Sequence, residues 1–156
     1  MRQIIRILFL LSFTVFASPI LSAQADEIDT MVSALNEEVS KEDYTKFAEV
    51  FVEFAKRDAR YGPAELDAVS NQVRRALAGS DVYGSYVSHS IVRKEFCGDR
   101  IARVIAVFFA ERGQFVLNYW FVKSNKEWAT STFNLKGHGN SSKFFKGFSE
   151  ILAATC

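Results

Sequence analysis

Much of what chemistry usually requires is scarce in this chain. Of its 156 residues only two are cysteine and two are histidine. The cysteines form no Cys-x-x-Cys pair, which excludes a thioredoxin-type redox motif. Two isolated histidines without a carboxylate at ligand spacing give no metal centre, and no cofactor is implied. There is no P-loop, G-x-S-x-G, H-E-x-x-H or G-x-G-x-x-G pattern, so none of the activities those turns and helices support can be assigned. No internal repeat, low-complexity tract or domain linker interrupts the sequence. Neither sign of charge dominates, with 19 Lys and Arg against 18 Asp and Glu. A near-neutral chain has no electrostatic footprint for nucleic acid or an anionic membrane.

What is present begins with an address. Arg2 and Arg6 precede an apolar run from Ile7 to Leu21, followed by Ala23-Gln24-Ala25. A short positive segment, an apolar core and a small-x-small end make a secretory signal peptide. The core falls short of the roughly 20 residues a membrane span needs. No cysteine follows it, so a lipid anchor is not expected. Cleavage after Ala25 predicts a mature chain over 26–156, without an integral membrane segment, periplasmic or secreted and bacterial in style. Both charges lost with residues 1–25 are arginines, so the mature chain carries 17 basic against 18 acidic groups. Its length suits one domain with a sizeable core. In an oxidising compartment Cys97 and Cys156 pair as one disulfide by default. That bond ties down the last residue and closes a loop worth roughly 4 kcal/mol in the chain-entropy picture.

Phenylalanine is abundant, at 15 residues, of which only Phe9, Phe13 and Phe16 lie in the signal. So many rings demand a large aromatic core, an apolar cavity, or both. Ile28, Met31, Val32, Leu35 and Val39 repeat with helical period. Ser40 with Asp43 reads as the start of a second helix, striped by Tyr44, Phe47, Ala48, Phe51, Phe54 and Ala55. Pro63 opens a third, marked by Leu66, Val69, Val73 and Leu77 and closed by Gly79. The grammar then changes to strands over 82–96, 101–111, 115–122 and 127–135. Their connections are so short that they force an antiparallel meander. Phe144, Phe145, Phe148, Ile151 and Leu152 mark a terminal amphipathic helix, capped by Asn140 or Ser141, with Gly147 inside it.

The expected class is therefore α+β: N-terminal helices packed on a curved four-stranded antiparallel meander, plus a C-terminal amphipathic helix. In the order of its elements over Lys41–Leu135 the chain resembles the NTF2-like and cystatin-like group of cone-shaped folds. That resemblance implies a bent sheet wrapped around a long helix, with the terminal helix free to plug or lid the cone. It transfers no residue, and the group spans carriers, small enzymes and protein-binding modules.

Candidate sites follow from the rings and the scattered polar groups. Phe108, Tyr119, Trp120, Phe121 and Trp128, with Phe109 and Phe115 beside them, could line an apolar ligand site or simply fill the core. Ser88-His89-Ser90 offers a base between hydroxyls, but strand neighbours point to opposite faces. Asp58, Tyr61, Asp67 and Asp99 lie near element ends, where an Asp base and a Tyr donor could move a proton. Arg74-Arg75 and Arg93-Lys94 are basic pairs open to an anionic partner. Asn140-Ser141-Ser142 matches an N-glycosylation acceptor. The leading expectation is an exported, non-enzymatic binding domain holding a small apolar or amphipathic ligand or a periplasmic protein partner. The alternatives are an inhibitor or immunity-type protein that blocks a cell-wall or toxin enzyme, and a small acid/base enzyme within the cone.

Overall fold

Three helices lead into a single sheet. The computed structural model describes residues 19–138 and 148–153. Helix α1 spans Pro19–Ser40, α2 Tyr44–Ala55 and α3 Pro63–Leu77. A short 3-10 turn, Ser80–Tyr83, precedes strands β1 (Tyr86–Cys97), β2 (Ile101–Ala110), β3 (Gly113–Ser124) and β4 (Glu127–His138). The four strands pair in chain order, all antiparallel. Residues 148–153 form a further helical turn and a half. The predicted α+β class and meander therefore stand.

Local chemistry accounts for the boundaries. The cap of α2 is Asp43, whose carboxylate accepts from the Lys46 amide at 2.8 Å. Ser40 instead closes α1, so the expected Ser40–Asp43 box is corrected to a single Asp cap. Pro63 occupies the first turn of α3, where its missing N–H costs nothing. The expected glycine stop at Gly79 is replaced by an ordinary right-handed end at Ala78. The first strand begins at Tyr86 rather than at Val82, because Gly84 takes a left-handed φ of 80° between the 3-10 turn and the strand. Two-residue loops, Glu111-Arg112 and Asn125-Lys126, join β2 to β3 and β3 to β4. Asn125, with φ 56°, supplies the left-handed residue such a loop requires.

The sheet separates two packing faces. On the helix side, Ala102, Val104, Ala106 and Phe108 of β2 join Phe115, Leu117, Tyr119 and Phe121 of β3. They meet Ile28, Met31, Leu35 and Val39 of α1 and Phe47 and Phe51 of α2. Each fully buried phenylalanine there contributes about 1.5–3 kcal/mol. Register shifts in β1 near Val87 and Val92, and in β3–β4 beside Ser131, bend the sheet around the helices. Gly137 has no Cβ because the Tyr83 hydroxyl occupies the space one would fill.

The alternate residues of the central strands face the other way. Ile105, Val107 and Val116 form a second, smaller cluster with Ile151, Phe148 and Leu152. The terminal helix therefore covers the outer face of the sheet, and the expectation that it plugs or lids the cone is corrected. Alternation decides this, since Ile105 and Val107 would otherwise expose a bare apolar strip on the side away from α1 and α2. Phe144, Phe145, Gly147, the Asn140 cap and glycosylation pattern, and Cys156 lie outside the described residues.

Candidate functional site

Two ends of the sheet present different chemistry. At one end sit the β1–β2 turn, the β3–β4 turn and the α2–α3 loop. Between them lies a groove of about 430 Å³, lined by Asp58, Ala59 and Arg60, by Arg100 and Ile101, and by Val122 to Asn125. An antiparallel meander brings its first and third turns to the same end, which is why residues so far apart in sequence converge.

The groove holds three cations and one acid. Asp58 is almost wholly buried, and its carboxylate accepts from Arg60 Nε at 2.9 and 3.0 Å as well as from the Arg60 amide at 3.1 Å. The Arg60 hydrogen bonds hold the Asp58 carboxyl below its ordinary range against the opposing cost of burial. The same pair raises Arg60 further. Only one edge of the Arg60 guanidinium is engaged by Asp58, through Nε and Nη2. The Arg60 side chain as a whole is 71% exposed.

Arg100 and Lys123 face each other across the hairpin. The Lys123 amide donates to the Arg100 carbonyl at 2.8 Å, one step beyond the Ile101–Val122 pair. Residues so placed hold their Cβ atoms about 4.5–5.5 Å apart, and like charges there are destabilising. Lys123 Nζ lies 5.8 Å above the Trp128 ring. Among the described residues the Arg100 side chain has no hydrogen-bond or ion-pair partner. Arg100 and Lys123 are thus like charges at opposed positions, and Arg60 lines the same groove.

The expected ligand residues are distributed between the two faces. Phe108, Tyr119, Phe121 and Trp128 are fully buried on the helix side. Phe108 stacks on Phe115 at 5.1 Å, and Tyr119 lies within ring-contact range of Phe47 and Phe121. The Tyr119 hydroxyl donates to Asn36 Oδ1 at 2.8 Å, and burial pushes its phenol well up. Trp120 is on the outer face, under the Arg103 guanidinium. The structure thus joins four of the five and separates Trp120 from them. Phe109 is an exposed residue at the far end of β2.

The acid/base candidates do not converge. Tyr61 spends its hydroxyl on the Ser131 carbonyl at 3.2 Å. His89 pairs with Phe108 in register, whereas Asp58 shares the groove with Ile101. Seven positions along β2 separate those two ends, about 23 Å. His89 is half-buried, stacked on Phe108 and 2.8 Å from the Tyr86 hydroxyl. Ser88 and Ser90 point to the other side, as strand alternation requires. Asp67 and Asp99 are exposed. Among the described residues no three His, Cys, Asp or Glu side chains gather as a metal would need.

The basic pairs noted in the sequence mostly serve the fold. Arg74 and Arg75 occupy the last turn of α3, where a cation is favourable. Lys94 binds Asp29 of α1 at 2.7 Å. Arg93 binds Glu95 at 2.6 Å and donates to the Leu152 carbonyl. The groove cations Arg60, Arg100 and Lys123 were missed because no two are neighbours in sequence. Their signal was positional: each flanks a connection, and all three connections fall at one end of the meander.

No family model matches the chain, and no curated protein does. A solved structure from Campylobacter jejuni, named as a candidate NTF2-like transpeptidase, aligns at a TM-score of 0.45 and 15% identity. The alignment covers 73% of this chain and 97% of that one. That alignment assigns no residue of the groove. Among the described residues, no helix is long and apolar enough to cross a membrane.

Proposed function

We propose that the protein is an exported, non-enzymatic binding domain that holds a small amphipathic anion in the groove at the turn end of the sheet. The observation that carries this reading is the unneutralised Arg100–Lys123 pair facing Arg60 across a 430 Å³ groove. Structural economy would place an acid opposite one of those cations. Asp58, the single acid lining the groove, is already committed to Arg60.

The export reading rests on the leader-like residues 1–25, and cleavage after Ala25 would fall inside α1. Among the α1 residues whose burial is described, the core begins at Ile28, which cleavage after Ala25 retains. That cleavage also leaves Asp26, Glu27 and Asp29 in the new first turn, where carboxylates complement the helix dipole. Glu27 there binds Arg57 at 3.1 Å. The Cys97–Cys156 disulfide belongs to the same reading. Arg93 donates to Leu152, and each partner lies four residues before its cysteine. The bond would anchor the turn that carries Arg100.

A protein partner is the second reading, favoured by the outer edge of β1. That edge, unpaired among the described residues, carries Val87, Ile91 and Val92 exposed, with Phe109 on the neighbouring strand. Native mass spectrometry of the protein, expressed with its own leader and purified from the periplasm, separates the readings. A mature chain starting at Asp26, lighter by two hydrogens and carrying a small anionic adduct, is the expected result. A stoichiometric protein adduct on an empty groove would replace the first reading by the second. Retention of residues 1–25 would overturn export.

A further inference from the structure

The groove has more unspent donors than a single carboxylate would use. Arg100 offers its whole guanidinium fork, Lys123 its ammonium, and Arg60 the Nη1 edge that Asp58 leaves open. These groups come from three separate segments: the α2–α3 loop, the β1–β2 turn and the end of β3. A planar carboxylate is satisfied by one guanidinium fork lying in its plane. Donors arriving from three segments suit a tetrahedral oxyanion, whose oxygens point in several directions. The charge count agrees. Three cations less the paired Asp58 leave two positive charges among the lining residues. One dianionic group would neutralise both and remove the repulsion across the hairpin.

Building on the anion-binding reading, we propose that the groove recognises a phosphate dianion, free or as a monoester, held jointly by Arg60, Arg100 and Lys123. Arginine and lysine are the usual phosphate donors, the first by its fork and the second as a point charge. Asp58 acts as a positioning residue. It fixes Arg60 by its Nε edge and so aims the remaining edge into the groove.

The proposal has a pH signature. A phosphate monoester loses half its second charge near pH 6, whereas a carboxylate stays ionised down to about pH 4. The charged groups lining the groove are Asp58, Arg60, Arg100 and Lys123, and no histidine is among them. Asp58 is held ionised by Arg60. The ligand's own second proton therefore governs the affinity between about pH 7.5 and 5.5.

The test is calorimetric titration of the mature, oxidised protein with five probes. These are inorganic phosphate, glycerol 3-phosphate, phosphatidylcholine vesicles containing phosphatidic acid, succinate and acetate. Saturable one-to-one binding of at least one phosphate probe is expected, tighter than either carboxylate and weakening as pH falls through about 6. Among the three phosphate probes, the tightest identifies the source as a free ion, a soluble ester or a lipid headgroup. Arg100→Gln and Lys123→Gln should each cost roughly tenfold or more, the worth of a charge-assisted hydrogen bond. Both side chains lie at the rim, and the ligand-free melting temperature reports folding. Arg100→Gln should raise it by relieving the like-charge pair, and should abolish the further rise that phosphate gives the wild type. Succinate or acetate binding as tightly as phosphate would overturn the phosphate proposal and leave anion binding intact. No binding by any probe, with both variants indistinguishable from wild type, would overturn both.

Discussion

Asp58 and Arg103 are the two buried charges whose surroundings say most about this chain. Asp58 is buried, yet its carboxylate is fed by the Arg60 side chain and amide, which keep its pKa below the ordinary value of 3.8. A carboxyl depressed in the folded state adds stability that is fully present above its unfolded pKa. That stability is lost as pH falls from about 4 through the folded value. Asp58→Asn should therefore destabilise the protein at pH 7 by about 1 kcal/mol, toward the low end because Arg60 is largely in solvent. It should also flatten the loss of stability as pH falls below about 4. Urea melts of both proteins across that range check it, and parallel curves would show that Asp58 makes no such contribution. In sequence Asp58 is one acid among several near element ends, and nothing nearby announces its burial.

The terminal helix shows what an element owes to its seat. Arg103 is 2% exposed on the outer face of β2. It donates to Asn118 Oδ1 at 3.0 Å, to Glu95 Oε1 at 3.0 Å and to the Ile151 carbonyl at 2.7 Å, and it lies over the Trp120 ring. Arg93 donates to the next carbonyl, that of Leu152. Two arginines thus donate to carbonyls of the described segment 148–153. Arg103→Ala should cost about 3 kcal/mol and should release protection of amides 148–153 before the sheet opens. Hydrogen exchange monitored with denaturant melts tests this; unchanged protection in 148–153 would mean that Ile105, Val107 and Val116 hold the helix unaided. The amphipathic stripe of this helix was legible in the sequence. Which face of the sheet it covers was not, because that depends on where an arginine inside an apolar strand points.

At the scale of the whole molecule, the two cysteines bear on how the pieces stay together. The α1–α3 layer and the terminal helix grip opposite faces of one sheet. A Cys97–Cys156 bond would fasten the end of that helix segment to the end of β1. Cys156→Ala should then lower the melting temperature by several degrees, and reductant should lower the wild type to the same value. This expectation follows from roughly 4 kcal/mol of loop closure reduced by native strain. Equal melting with and without reductant would remove the bond from the account. Most of the fold could be read from residue order, because helical stripes and period-two strands are local patterns. The strand order followed from the short turns. The groove could not be read that way, since Arg60, Arg100 and Lys123 share no stretch of sequence.

Periodicity, turn residues and the leading arginine-flanked apolar run determined the element list, the α+β class and the expected address. Those features act over a few residues, where backbone geometry and side-chain spacing decide the outcome. Only tertiary structure decided that Trp120 leaves the other rings and that the terminal helix takes the outer face. It alone also brought three cations from three separate segments to one end of the sheet. Each of these depends on strand register and on which elements compete for a face, and contacts across tens of residues settle both.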